Sequence, residues 1–146
     1  MAKMYDNYRH YRKYTIEEVR DLWVKAQDSR HEHIRKNGTK YYTYDRVQIA
    51  DGITVKMDSQ RYQVFFKCGT ECVSCGLKGR YFWLEQDKSQ TGTAYHFNLY
   101  GIDADGNEVM LTKDHIIPKS KGGTSSIENY QTMCDRCNEK KSNKIV

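Results

Sequence analysis

The pattern of apolar and polar residues predicts a helix near the N-terminus, followed by a series of short strands. Thr15-Ile16-Glu17-Glu18 has the sequence of a capping box, in which a threonine hydroxyl and a glutamate bind free amides at a helix start. Apolar residues then recur at helical spacing as far as Ala26. We therefore predict a helix that runs from Ile16 to about Lys36 and stops at Asn37-Gly38.

From Tyr41 onward the chain is rich in Tyr, Val, Thr, Ile and Phe between short turn signals, a composition typical of strands. Asp51-Gly52 predicts a turn, residues 86–93 predict a polar loop, and residues 103–107 predict the turn of the clearest hairpin. That turn lacks the spacing and the bidentate glutamate of a calcium loop. The predicted strands cover residues 41–44, 47–49, 53–57, 62–66, 81–85, 95–102 and 109–112.

The N-terminal segment interleaves aromatic and basic residues. Tyrosines stand three apart at positions 5, 8, 11 and 14, with cations between them. Such a segment can contact phosphates and stack on bases, or its tyrosines can pack on the domain. On the first interpretation the candidate nucleic-acid contacts are Arg9, Arg12 and Lys13.

Composition restricts the class of protein. The 146 residues fit a single domain, or one domain with an extension. A mean hydropathy of -0.90 and the lack of a long apolar run exclude a transmembrane helix, and the N-terminus lacks the apolar core of a signal peptide. We therefore expect a cytoplasmic protein without membrane partners, in a compartment where disulfides are rare.

The net charge of +5 is unevenly distributed. Residues 1–40 carry a net +4, residues 41–110 a net -2 and residues 111–146 a net +3. Basic ends suit a nucleic-acid partner, although they also serve simply to keep a small domain soluble.

Four of the five cysteines form two C-x-x-C pairs, Cys72/Cys75 and Cys134/Cys137. Two such pairs have the spacing of a structural zinc site, in which four thiolates surround the ion. The alternatives are two unconnected thiol pairs or a redox pair. Cys68 is left over, and we predict a partly buried free thiol at a strand end.

Most of the candidate catalytic and metal-binding side chains lie in residues 111–142. Asp114-His115 places an oxygen ligand beside an imidazole, Pro118 fixes the following turn, and Gly122-Gly123 allows a sharp loop. The polar run from Asp135 predicts a short helix with Asn138 and Lys141 on one face.

This segment resembles the HNH endonuclease family. The matching pattern is D-H-I-x-P-x-S-x-G-G, an Asn fourteen residues after the His, and C-x-x-C-N-x-x-K. It covers about residues 111–143, and the first cysteine pair extends it back to about Cys72. The resemblance implies an α+β fold: a small ββα-metal nuclease finger stapled by the four-cysteine zinc site, with an N-terminal helix and short antiparallel strands. Residues 68–146 would form the nuclease domain, and residues 1–67 a basic extension that contacts DNA or packs on that domain.

The resemblance also implies roles for individual residues. His115 would be the general base that activates water, and Asn129 would brace the loop that orients it. Asp114 and Asn138 would hold a catalytic Mg²⁺ or Mn²⁺, since oxygen ligands suit these ions, while zinc would belong to the cysteines. Lys141 would neutralise phosphate charge, and the candidate nucleic-acid contacts on this segment are Lys119, Lys121 and Lys140.

The expected activity is hydrolysis of double-stranded DNA to 5′-phosphate and 3′-hydroxyl ends, by a protein carried by a phage or mobile element. Cleavage of both strands would suggest a homodimer. Two other functions fit the sequence: a zinc-stapled nucleic-acid-binding module with a vestigial nuclease site, and an interaction protein that docks a partner through its Tyr-rich strands.

Overall fold

A five-stranded antiparallel sheet forms the centre of the computed structural model, which describes residues 8–87, 94–142 and 144. The strand order in this sheet is β1-β6-β7-β8-β9, and two small two-stranded sheets, β2-β3 and β4-β5, accompany it. The strands are β1 Tyr8–Tyr14, β2 His31–Ile34, β3 Lys40–Thr43, β4 Val47–Gln48, β5 Thr54–Val55, β6 Gly79–Asp87, β7 Tyr95–Ile102, β8 Glu108–His115 and β9 Tyr130–Cys134. The helices are α1 Ile16–Gln27, α2 Gln60–Cys68 and α3 Asp135–Lys141.

The α+β class and the ββα unit are confirmed, because β8, β9 and α3 follow one another at one end of the sheet. The strands predicted at 81–85, 95–102 and 109–112 are also confirmed, although β6 and β8 are longer than expected. Most of the loop predicted at 86–93 lies outside the described residues, and its first two residues belong to β6.

The helix α1 begins as predicted and ends early. Thr15 accepts a hydrogen bond from the Glu18 amide at 3.0 Å, and the Glu18 carboxylate accepts one from the Thr15 amide at 2.9 Å. The predicted extension to Lys36 is wrong, because the helix ends at Gln27 and β2 follows. Gly38 has a φ of +88° and turns the chain between β2 and β3, so that Asn37-Gly38 closes a hairpin and not a helix.

The strand predicted at 62–66 is also wrong, since this segment is helix α2. Ser59 caps it by accepting a hydrogen bond from the Arg61 amide at 3.4 Å. Tyr62, Val64 and Phe65 are buried, and the spacing of Tyr62 and Phe65 is that of a helix. Burial of these rings against the sheet outweighs the strand propensity of aromatic residues.

The core lies between the sheet and helices α1 and α2. Alternate side chains of the central strands point into it, and all are fully buried or nearly so: Phe82, Leu84, Phe97, Leu99 and Leu111. None of the helices in the described part of the chain is long and apolar enough to cross a membrane.

The N-terminal segment is strand β1, which pairs with β6 at the edge of the sheet. Tyr11 donates a hydrogen bond to Asp51 at 2.6 Å, and the Tyr14 ring packs edge-on against Phe97. Both contacts favour the interpretation in which the tyrosines pack on the domain. Because β1 completes the same sheet as β8 and β9, the division at residue 67 stays a prediction.

One carboxylate is buried on the sheet face opposite the core helices. Glu85 is fully buried, its Oε1 accepts a hydrogen bond from the Tyr100 hydroxyl at 2.5 Å, and its Oε2 lies 3.3 Å from His10 Nε2. Burial raises the pKa of Glu85 to about 7. The Glu85 carboxyl group therefore stays protonated to a higher pH in the folded protein than in the unfolded chain.

We predict that the free energy of unfolding decreases as the pH rises from about 4.5 to about 7, by an amount on the order of 3 kcal/mol from Glu85 alone. Glu85→Gln keeps an acceptor for Tyr100 and removes this titration. In urea unfolding, the variant should match the original protein at pH 4 and exceed it in stability at pH 8.

The matched control is Glu17→Gln, which changes an exposed carboxylate in the first turn of α1. This variant should show the same pH dependence of the free energy of unfolding as the original protein. A Glu85→Gln variant that is less stable than the original protein at pH 8 would contradict the assignment.

Candidate metal centre and nuclease site

Four cysteines from two distant parts of the chain meet at one point. Cys72 and Cys75 lie in the turn between α2 and β6, Cys134 ends β9, and Cys137 lies in α3. The four Sγ atoms lie within 4.8 Å of one another, and Cys75 Sγ is 3.8 Å from Cys134 Sγ. Sulfurs in a tetrahedron with Zn–S bonds of about 2.3 Å are about 3.8 Å apart. The cluster is therefore compatible with zinc.

The backbone around the cysteines supports the same conclusion. The Cys75 amide donates to Cys72 Sγ at 3.5 Å, and the Cys137 amide donates to Cys134 Sγ at 3.4 Å. Burial acts to raise the pKa of Cys72, but backbone amide hydrogen bonds outweigh it and lower the pKa to about 7. Burial raises the pKa of Cys134. A bound cation would favour the thiolate form of all four.

The fifth cysteine lies apart from this cluster. Cys68 is the last residue of α2 and is exposed, so the prediction of a partly buried thiol at a strand end is wrong. The error follows from the misassigned strand at 62–66.

A cavity of about 320 Å³ lies at the end of β8, beside α3. Its lining contains the carboxylate, imidazole, amide and amino groups that the sequence pattern predicts as site groups. It also contains residues of the loop that follows β8. The lining residues are Lys113, Asp114, His115, Pro118, Lys119, Ser120, Asn138, Lys141 and Ser142.

Asp114 is held by two donors from neighbouring elements. Its Oδ2 accepts from Lys141 Nζ at 2.9 Å and from Gln131 Nε2 at 2.9 Å. The side chains of Asp114 and Lys141 are only 6% and 3% exposed, so this is a buried ion pair. Lys141 also donates to the backbone carbonyl of His115. The pair thus ties α3 to the last two residues of β8.

Asn138 lies one helical turn before Lys141. Its Nδ2 donates to Thr112 Oγ1 at 3.1 Å, and this hydroxyl in turn donates to the Met133 carbonyl at 3.0 Å. With Nδ2 held by Thr112, the atom that Asn138 would offer a metal is Oδ1. Asp114 keeps a second carboxylate oxygen, so the donors fit a hard divalent cation.

His115 has the environment of a neutral imidazole. Burial lowers its pKa, and the nearby cations of Lys113 and Lys119 lower it further. The ring packs edge-on against Tyr130, with centroids 4.8 Å apart. Within the described residues, its Nε2 is buried without a hydrogen-bond partner. The ring is thus fixed by packing, and an unprotonated nitrogen can accept a proton.

Asn129 holds the loop that follows His115. Its Oδ1 accepts from the Ile117 amide at 2.9 Å, and its Nδ2 donates to the carbonyls of Ile117 and Thr124. Gly123 lies against the same place, where a Cβ atom would stand 1.7 Å from the Ile117 oxygen. Only glycine can occupy this position without moving the loop.

Comparison with known proteins agrees with this geometry. Residues 103–146 match the model of the HNH endonuclease family. No curated protein and no solved structure matches the chain. The HNH segment, residues 103–146, contains β8, β9, α3 and the second cysteine pair. The match indicates a nuclease that acts on nucleic acid.

The predicted nucleic-acid contacts fall into two groups. Lys119 lines the cavity of the HNH segment, and Lys121 and Lys140 are exposed on the same segment. The cations of β1 are exposed but lie on a strand that β6 and β7 separate from β8, so the structure does not bring them into the cavity lining. These are Arg9, Arg12 and Lys13.

Sequence reasoning missed several residues that support the HNH segment. Gln60, at the start of α2, accepts at Oε1 from Tyr130 at 3.0 Å and from Lys113 at 3.3 Å. Its Nε2 donates to the Ser125 carbonyl at 3.2 Å. Gln131 was also missed, although it pairs with Asp114 across β8 and β9. Strand alternation could have found Gln131, whereas no local signal marks Gln60.

We predict that the purified protein holds about one zinc ion per chain and that Cys134→Ser abolishes this binding and unfolds the HNH segment. Binding free energies on the order of 10 kcal/mol at such sites become folding free energy. Zinc release by a colorimetric chelator, followed together with circular dichroism, tests this.

Cys68→Ser is the matched control, because Cys68 is an exposed thiol outside the cluster. It should keep both the zinc and the fold. Retention of zinc by Cys134→Ser, or its loss in Cys68→Ser, would overturn the assignment.

We predict that Lys141→Met destabilises the protein by about 3 to 5 kcal/mol, because it leaves the Asp114 carboxylate buried without its charge partner. The double variant Lys141→Met/Asp114→Asn should regain most of this stability. Urea unfolding without added divalent ions measures both. Equal destabilisation in the single and double variants would show that the ion pair is not the cause.

Proposed function

We propose that this protein is a metal-dependent endonuclease that hydrolyses DNA phosphodiester bonds and leaves 5′-phosphate and 3′-hydroxyl ends. The observation that carries the proposal is the convergence of Asp114, His115 and Asn138 on one cavity of about 320 Å³, within the segment that matches the HNH family. Carriage by a phage or mobile element is part of the proposal and rests on the resemblance alone.

His115 acts as the general base. Its imidazole is kept neutral by burial and by neighbouring cations, and it takes the proton of the attacking water at a ring nitrogen. Packing on Tyr130 and the loop held by Asn129 keep the ring in place. A positioned base of this kind contributes about 10²- to 10⁴-fold to the rate.

Asp114 and Asn138 would hold a Mg²⁺ or Mn²⁺ ion, which supplies charge stabilisation at the scissile phosphate and the departing 3′ oxygen. Both residues offer oxygen, which these ions prefer over nitrogen or sulfur. Lys141 positions Asp114 through their ion pair, and its burial favours this role over direct contact with the substrate. Lys119 is exposed beside the cavity and offers a cation to the phosphate backbone.

A plasmid-nicking assay with Mg²⁺ or Mn²⁺ tests the proposal. We expect conversion of supercoiled DNA to the nicked or linear form, and a loss of about 100-fold or more in His115→Ala. Asp114→Asn should abolish metal-dependent activity. The control is Asp105→Asn, in the exposed turn at the opposite end of β8, which should cleave normally.

Circular dichroism of each variant separates loss of chemistry from loss of fold. Lack of cleavage with both ions, or unchanged cleavage by His115→Ala, would overturn the mechanism. Mapping of the product ends checks the polarity of hydrolysis.

The ion pair between Asp114 and Lys141 favours one second candidate, a nucleic-acid-binding module with a vestigial site. An ammonium group 2.9 Å from the proposed metal ligand competes with a divalent cation for it. This candidate requires salt-sensitive DNA binding without turnover, and binding that survives loss of His115.

A further inference from the structure

The hairpin of β2 and β3 stands apart from the rest of the described structure. We call residues 30–44 the ribbon. Its strands pair only with each other, in a register that places His33 opposite Tyr41. All of its residues are exposed except His33 and Tyr44, which are half-buried. The Asp45 amide donates to Ser29 Oγ at 2.9 Å, which closes the base of the ribbon.

The ribbon has no apolar core, and an isolated two-stranded hairpin of this kind is at best marginally stable in water. Cross-strand stacking takes the place of a core. The His33 ring stacks on Tyr41 with centroids 4.8 Å apart, and the Arg35 guanidinium lies 4.5 Å from the same Tyr41 ring. Arg30 lies 4.5 Å from the Tyr42 ring. These contacts also hold both guanidinium groups in place before any partner binds.

The ribbon is strongly basic. It contains four Lys or Arg and a single carboxylate, so its net charge is +3 with neutral histidines. Two of these cations, Arg35 and Lys36, lie at the tip beside the Asn37-Gly38 turn. A projecting basic element of this kind suits a polyanion.

The two faces of the ribbon carry the same net charge and differ in how their charges are paired. Alternation along the strands places His31, His33, Tyr41 and Thr43 on one face, with Arg35 stacked over it. No carboxylate of residues 30–44 lies on this stacked face, although Asp45, at the base of the ribbon, lies 3.0 Å from His31. The opposite face carries Arg30, which lies over Tyr42 near the base, and Glu32, which is paired with Lys40 at 3.3 Å. Glu32 and Asp45 are thus paired with Lys40 and His31, which leaves Arg35 and Lys36 at the tip as the cations most available to a phosphate backbone.

We propose that the ribbon inserts into the major groove of a B-form DNA duplex, with the stacked face and the tip toward the DNA. This inference rests on the proposed function and adds to it a second DNA-contacting surface that belongs to residues outside the HNH segment. Two strands lie about 4.8 Å apart, and the B-DNA major groove, about 12 Å wide, admits such a ribbon. The major groove of duplex RNA is too narrow and deep for side chains to read.

The two arginines provide a matched test, since each lies 4.5 Å from a tyrosine ring on a different face. Fluorescence anisotropy with a 24-base-pair DNA duplex, without added divalent ions, measures affinity over a range of salt concentrations. Arg35→Ala should reduce the slope of log affinity against log salt by about 1, as expected for one lost phosphate contact. Arg30→Ala should change this slope by much less.

A second variant removes the ribbon. Because Ser29 and Asp45 are already joined by a hydrogen bond, residues 31–43 can be replaced by Gly-Gly with little strain elsewhere. We expect DNA affinity to fall about 10-fold or more, since several phosphate contacts are lost together. The original protein should bind an RNA duplex of the same sequence more weakly than the DNA duplex. Removal of the ribbon should change the affinity for RNA less than the affinity for DNA.

Equal effects of Arg35→Ala and Arg30→Ala, or unchanged DNA affinity without the ribbon, would overturn the inference. Equal losses on DNA and RNA duplexes would show general attraction to polyanions and would overturn insertion into the groove. Because binding is measured without turnover, these results are separate from cleavage. If the protein cleaves DNA and its DNA affinity does not change when the ribbon is removed, the proposed function stands and only this inference is overturned.

Discussion

Four cysteine thiols join two parts of the chain that are separated by 58 residues between Cys75 and Cys134. The candidate site depends on this junction. Helix α3 has only seven residues, which is too short to be stable on its own. Cys134 caps its first turn and Cys137 lies within that turn. Both cysteines belong to the thiol cluster, so the cluster holds the start of the helix. A cation bound there would fix the helix against the turn that follows α2.

The other end of α3 is fixed by a different interaction. Lys141 forms its buried ion pair with Asp114, the residue before His115 at the end of β8. The helix is thus held at both ends, and Asn138 lies between the two attachments. This explains how a seven-residue helix can present an amide and an ammonium to a strand end with a fixed geometry. The loop braced by Asn129 then supplies Pro118, Lys119 and Ser120 to the lining of the cavity.

The parts of this structure that the sequence predicts are those governed by local chemistry. The capping box at Thr15, the hairpin of β7 and β8, and the short helix after Asp135 each depend on residues close together in the chain. The failures arose where one local pattern permits two outcomes. Asn37-Gly38 can end a helix or turn a hairpin, and the side chains of 62–66 suit a strand until burial selects the helix.

Long-range contacts account for the rest. Gln60 reaches Ser125 and Tyr130 across 65 and 70 residues, and nothing near Gln60 in the sequence indicates this. Motif spacing did identify part of the cavity lining, namely Asp114, His115, Lys119, Asn138 and Lys141, because the family pattern records long-range constraints that single residues do not. It did not show that Lys141 is buried against Asp114, which changes the expected role of that lysine from phosphate contact to positioning.

The Asp114–Lys141 pair also affects the order in which a metal and a substrate would enter the proposed site. A divalent cation at the free oxygen of Asp114 would lie close to the Lys141 ammonium, and like charges repel more strongly at a partly buried site than in water. A phosphate group in the cavity supplies the negative charge that offsets this repulsion. Metal and nucleic acid would therefore bind with mutual reinforcement, since each improves the electrostatic environment of the other. If the ribbon contacts DNA as proposed, it would matter for more than affinity, because it would hold the duplex close while the metal site becomes complete.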